Sequence, residues 1–229
     1  MRRSKALALI AVFASLNALL DSIPVLPQLS SGVWYGWIFV IESLNGIILG
    51  PVNGFFSTLI GVMVSHSVYF IGEYEYLFTV GAPIGAVVSG LVYNGRLKPV
   101  LAYFTVLLTT CFLTPVSWQL PVLGIWDVLL AFVVLCIVFV LRFRFDSKLL
   151  RDEKYILPVS TLIGLEADIL FRIFLLIPGQ TYQSFYGFSV EALQAIWGAA
   201  ALITPVQVAI SMVLTTLIGR QILKLNMVR

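Results

Sequence analysis

Metal-binding and redox side chains are nearly absent from this 229-residue chain, which has one histidine, His66, and two cysteines, Cys111 and Cys136. A zinc site of the usual histidine-rich kind is therefore not expected. Both cysteines fall within apolar runs, where inert buried thiols are expected rather than disulfide partners or metal ligands. Charge is scarce too: 11% of residues are charged against 60% apolar, and mean hydropathy is +1.01. That balance excludes an ordinary water-soluble domain. No Gly-x-x-x-x-Gly-Lys loop occurs, so an ATP-driven step would have to come from separate partners.

What is present is a series of hydrophobic stretches. A hydrocarbon core of about 30 Å needs about 20 apolar residues per helix, which leaves no room for a separate catalytic domain. The stretches are 4–22, 34–49, 53–71, 78–94, 99–114, 122–141, 156–177 and 195–222. Barrel-like alternation is absent, and backbone polar groups in lipid must be satisfied within their own segment, so helices are predicted. Eight of the ten prolines, Pro158 among them, mark ends or loops. Pro83 and Pro205 fall inside spans, where kinks are expected. Gly50-Pro51 predicts a tight turn between the second and third spans. The expectation is an all-α, polytopic transmembrane helix bundle of about eight spans. It forms one integral membrane domain over 1–229, multi-pass in the cell membrane.

Of the fourteen Lys and Arg residues, thirteen, from Arg2 to Arg229, fall on one side of this topology, and the loops on the other side hold none. Basic residues are retained on the cytoplasmic side, so both termini are expected there. The same residues account for the net charge of +3, which gives no reason to expect nucleic acid. The basic segment 142–155, with Lys148 and Arg151, is predicted to lie along anionic headgroups. Met1-Arg2-Arg3-Ser4-Lys5 and the run after it have the form of a signal peptide. No small-x-small cleavage site follows, so a retained first helix is predicted.

Four charges break the apolar pattern: Glu42, Glu166, Asp168 and Arg172 lie within spans, while Asp127 and His66 sit toward outer ends. A charged side chain at mid-bilayer costs about 2.5–3.5 kcal/mol even on lenient insertion scales. Asp168 and Arg172, four residues apart, share a helix face and can pair. Glu166, rotated about 200° from Asp168, points elsewhere. Glu42 and Asn45 share a face of the second span. Three deep carboxylates against one guanidinium leave two acids whose ionised forms burial disfavours until a cation or donor arrives. Interhelical hydrogen-bonded glue, a recognition site for a polar or cationic solute, and a proton relay all remain open.

The aromatic residues are lopsided. All five tryptophans (Trp34, Trp37, Trp118, Trp126 and Trp197) and six of nine tyrosines fall on the outer side. An interfacial belt populates both borders, whereas a one-sided excess suits an outward pocket walled by rings. The candidate ligand-binding residues are Glu42, Asn45, Trp34, Trp37, His66, Trp126, Glu166, Asp168 and Arg172. Two long outer connections, Ser22–Val33 with Gln28 and Pro178–Gln194 with Gln180, Gln183 and Glu191, are predicted lids.

Small residues recur at helical spacing: Gly81, Gly85 and Ser89 in the fourth span, and Ala11, Ala14 and Ala18 in the first. Such rows let helix backbones approach, within one bundle or onto a partner helix. The run Leu49-Gly50-Pro51-Val52-Asn53-Gly54-Phe55, followed by Gly61, resembles the hairpin of substrate-binding S components of energy-coupling factor vitamin transporters. The first helix, from Ala6 through Ala18, is also similar. Gly164-Leu165-Glu166-Ala167-Asp168 and Thr204-Pro205-Val206-Gln207 look like the second half of archaeal members. The resemblance implies docking of Ala11, Ala14 and Ala18 on a transmembrane coupling subunit and the use of partner ATPases. Members of the family typically have six spans, against eight counted here, and the Ala14–Ala18 pair sits toward the outer half of its helix.

The function expected is that of a membrane-embedded solute-binding subunit in the lipid bilayer. It would take up a small, planar, polar or cationic molecule, a vitamin or precursor, with no cofactor. A proton-coupled secondary carrier is the alternative. An intramembrane enzyme fits less well. Glu166 through Arg172 lacks the paired glutamates of prenyl-processing proteases, and Ser65 and His66 diverge on a helix.

Overall fold

Long apolar runs without strand alternation coil into helices wherever glycine and proline permit. The computed structural model describes residues 3–24, 34–70, 72–144 and 152–224. In these residues the chain forms α1 (Arg3–Asp21), α2 (Glu42–Leu49), α3 (Pro51–Val68), α4 (Glu75–Phe78) and α5 (Gly81–Tyr93). It continues through α6 (Leu97–Leu113), α7 (Trp126–Arg144), α8 (Glu153–Leu176), α9 (Thr181–Ser184) and α10 (Val190–Lys224). The fold is all-helical, as expected. Among the described residues the only β pairing is an isolated bridge between Pro24 and Gly36. Gln28, Arg2, Lys148, Arg151 and Arg229 lie outside the described residues, as do 25–33 of one predicted lid and 145–151 of the basic segment.

Local chemistry sets the element boundaries. Gly50, at φ 83°, ends α2, and Pro51 opens α3 at a position where its missing amide costs nothing. The Asp152 carboxylate accepts the Lys154 amide at 2.9 Å and starts α8 early. Pro158 is consequently inside α8, contrary to its expected place at a helix end. Pro83, expected to kink a span, sits in the first turn of α5, where no helical amide bond is lost. The second span opens as a 3-10 turn, Trp37–Val40. There α10 supplies donors: Ser211 Oγ bonds the Phe39 carbonyl at 2.6 Å, and Gln207 Nε2 reaches the Trp34 carbonyl at 3.4 Å.

Among the described residues, four segments are long and apolar enough to cross a membrane: Ser4–Asp21, Glu75–Tyr93, Val122–Arg144 and Val190–Lys224. Trp37–Leu49 and Leu97–Leu113 are apolar but shorter. Neither α3 nor α8 joins them, and α8 fails because Glu166, Asp168 and Arg172 fall in its middle. Its position explains how it keeps them: α8 is the central helix, packed against α5, α10, α7, α6 and α2. Every residue from Ile163 to Leu170 is buried. A helix wrapped by other helices needs no apolar surface of its own.

Helix direction sorts the charges. The last turns of α7 and α10 hold Arg142, Arg144 and Lys224, and the start of α8 holds Lys154. With Lys5, Arg96 and Lys98 they form one basic end of the bundle, where the Arg142 guanidinium packs against Gly95. Arg172 lies toward the opposite end, where α7 and α10 begin with Asp127 and Glu191.

Candidate functional site

Asp168 is fully buried and has three bonds. Arg172, one turn along α8, donates from Nε to Oδ1 at 2.7 Å and from Nη2 to Oδ2 at 3.3 Å. The Trp34 indole N–H donates to Oδ2 at 2.9 Å. A buried carboxylate paired with one guanidinium and bonded by a neutral donor is a stable unit, costly to break from either side.

The glycine row on α5 makes room for this unit and for a second acid. A Cβ at Gly81 would overlap Asp168 Oδ1, and one at Gly85 would overlap Glu42 Oε1 and crowd the Gly164 carbonyl. The row thus houses two carboxylates at the α2–α5–α8 crossing, beyond the backbone approach expected of it. Glu42 lies beside the Trp34 indole, yet neither of its oxygens has a hydrogen-bond partner among the described residues. Glu166 is in the same position, fully buried with both oxygens unpartnered.

Above Asp168, away from the basic end, two hollows adjoin. The smaller, about 20 Å³, is lined by Asp21, Trp34, Tyr35, His66, Glu75 and Arg172 among others, room for one water. Asp21 Oδ2, which has no hydrogen bond among the described residues, and His66 Nε2 lie 3.7 Å apart at its edge, and Thr79 Oγ1 bonds His66 Nδ1 at 2.7 Å. The larger is an open cavity of about 220 Å³ that shares Tyr35, Glu75 and Arg172 with the first. Its apolar walls come from α8 (Ile169, Ile173, Leu176), α10 (Ile196, Trp197, Ala200) and Phe78 and Phe188. Asp127 and Thr204 add polar groups to the lining. A cavity of about 150 Å³ holds benzene, so this one suits a molecule of one or two rings.

Aromatic contacts close one side of the mouth. The Tyr186 hydroxyl donates to Glu75 Oε1 at 2.7 Å, and Tyr74 stacks on Phe185 with centroids 4.4 Å apart. Burial, followed by the hydrogen bond to Glu75 and the charge of that carboxylate, holds the Tyr186 hydroxyl above the ordinary phenol range.

The predicted site residues separate into groups. Trp34, His66 and Arg172 line the small hollow, Arg172 lines both, and Asp168 holds Arg172 from below. Glu166 lies under the large cavity, on the α8 stripe of Ile169 and Ile173. Glu42 is packed beneath Trp34 and lines neither hollow.

Asn45 turns away from Glu42 despite sharing its helix face. It donates to Asn17 Oδ1 at 2.9 Å and Thr58 Oγ1 at 2.8 Å, joining α2 to α1 and α3. Trp37 stacks on Phe39 with centroids 5.7 Å apart, outside both hollows. Trp126 donates its indole N–H to the Ala201 carbonyl at 2.8 Å. That carbonyl is four residues before Pro205, which has no amide to offer it, so Trp126 fills a gap in α10. Ala14 is buried against Gly61 of α3, with Ala18 beside it, while Ala11 is exposed.

Glu75, Tyr186, Trp197 and Thr204 belong to the cavity but were not among the predicted residues. The outer aromatic excess pointed toward Tyr186 and Trp197. Glu75 lies in the Glu73-Tyr74-Glu75-Tyr76 connection, which carries no helical periodicity to fix which residue turns inward. No family model, characterised protein or solved structure matches the chain.

Proposed function

We propose that this is a multi-pass membrane protein that binds a small solute at one face and hands it across the bilayer. All eight principal helices cross the membrane in this reading, with α3 and α8 sheltered by the four helices of spanning length and hydropathy. The basic end faces the cytoplasm with both termini, and the cavity opens to the exterior. The observation that carries the proposal is the cavity of about 220 Å³ at the end opposite the basic residues. It has the largely apolar walls, aromatic rings and few polar groups of a small-molecule site.

The role assigned is that of a solute-binding uptake subunit, similar to the S components its sequence resembles, with transport energised by separate ATPases through a coupling subunit. The solute is small, planar and polar or cationic, a vitamin or precursor in size, and leaves chemically unchanged. Gentle purification from native membranes followed by mass spectrometry of the bound material tests this. A co-purifying small solute with an ATPase pair supports the reading; turnover of an added lipid or peptide by the pure protein would overturn it.

The unpartnered Glu42 and Glu166 favour a second reading, a proton-coupled carrier acting alone. Uptake by the pure protein in liposomes, driven by a pH gradient and lost in Glu42→Gln or Glu166→Gln, would select it over the ATPase-dependent role.

A further inference from the structure

The charge arrangement around the large cavity specifies its solute further than size and shape do, provided the cavity is the binding site proposed above. Arg172, its one basic lining residue, is held by Asp168 through two nitrogens. The other charged lining residues are Glu75, whose Oε1 accepts from Tyr186, and Asp127, whose Oδ1 accepts the Val128 amide at 3.0 Å. Asp127 is 5% exposed, on the first turn of α7.

Beneath this wall lies Glu166, one helical turn before Ile169 and two before Ile173 on α8, and Asp127 is foremost among the charged groups acting on it. It is fully buried with neither oxygen bonded by a described residue. Among the described residues Arg172 is the only basic one that lines the cavity, and Gly124, Trp197 and Thr204 line it together with Asp127. A buried carboxyl with no partner, near a second carboxyl that lines the hollow, is satisfied either by a proton or by a positive charge, and the hollow has room for a molecule that carries one. The ring of Trp197 beside it is suited to the same charge, because aromatic faces attract cations.

We infer that the solute is an organic cation, a one- or two-ring molecule whose charged nitrogen is met by Asp127, with Glu166 as the buried counter-charge beneath. Asp127 supplies the contact. Glu166, one layer further in, adds field without touching the solute. The apolar walls of α8 and α10 take the ring.

Three probes of one size separate charge from shape: benzylammonium, benzyl alcohol and benzoate, titrated calorimetrically at pH 7 into the full chain in detergent. Benzylammonium should bind at least about tenfold more tightly than benzyl alcohol, the factor expected of one charged hydrogen bond, and benzoate most weakly. Asp127→Asn should abolish that preference. Glu166→Gln, which leaves the lining intact, should reduce it while sparing benzyl alcohol affinity. Gel-filtration profiles confirm that each variant is folded, and either variant alone suffices to decide. Equal binding of all three probes, or a preference for benzoate, overturns the cation inference and leaves the cavity as a solute site. Failure of every probe to bind removes the cavity as a site for ring-sized molecules, and the uptake reading falls with it.

Discussion

The Trp34 indole N–H donates to Asp168 Oδ2 at 2.9 Å, tying the segment before α2 to the centre of α8 across 134 positions of sequence. The bond holds the upper face of the Asp168–Arg172 pair, while the α5 glycines fit against its flank. Trp34→Phe keeps an aromatic ring but removes the donor together with part of the buried indole. Leaving a buried carboxylate oxygen short of a bond should cost about 1–3 kcal/mol. Thermal or denaturant unfolding in detergent measures it, and an unchanged midpoint would show the bond contributes nothing.

Gly81 and Gly85 act by absence of a side chain. Alanine at either position meets a carboxylate oxygen, Asp168 Oδ1 or Glu42 Oε1, in a fully buried crossing. Each substitution should destabilise by about 1–3 kcal/mol, the usual cost of overpacking. Gly198, in α10, has nothing within 4 Å of a Cβ position. There alanine should stabilise by about 0.4–1 kcal/mol through the unfolded chain and helix propensity. Parallel unfolding curves of the three variants check the contrast in sign.

Trp126 and Pro205 should be energetically coupled although they are 79 positions apart. Removing the indole donor by Trp126→Phe orphans the Ala201 carbonyl only while residue 205 lacks an amide. In a Pro205→Ala background the helix supplies that amide itself. A double-mutant cycle should return a coupling of about 0.5–1.5 kcal/mol, and additivity of the two changes would refute the assignment.

Tyr186 gives the protein an alkaline limit. Its folded hydroxyl titrates above the ordinary value of about 10, first because of burial and then because of Glu75. A group raised in the folded state contributes stability that is complete below its unfolded value and is lost as pH climbs toward the folded one. Wild type should therefore lose stability above about pH 10 more steeply than Tyr186→Phe. Unfolding midpoints measured across that range decide, with matching slopes as the contrary result.

Much of the helical frame was legible because its signals are local. Apolar run length located every principal helix, and Gly50-Pro51 marked the tight turn between α2 and α3. The Asp168–Arg172 pair followed from four-residue spacing alone. Helix ends were less legible where side chains set them: the Asp152 cap lengthened α8 and enclosed Pro158. The site was harder still, because which face a residue presents depends on neighbours far along the chain. Asn45 and Glu42 lie within one turn, yet one bonds α1 and α3 while the other faces α5 and α8. Trp126 had the right type and side for a pocket wall, but the carbonyl freed by Pro205 claimed it. Glu75 sits on a connection whose inward face no periodic pattern reveals.

The three charges in the middle of α8, Glu166, Asp168 and Arg172, also bear on how the protein is made. Each would resist partition of an isolated segment into lipid by a few kcal/mol, more than its leucines and isoleucines easily offset. If α8 crosses the bilayer as proposed, such a segment enters only beside helices already in place, so α5 and α7 would have to be waiting when α8 leaves the ribosome. A lesion that loosens α5 would then surface as failed biogenesis, with α8 stranded at the translocon and the chain degraded.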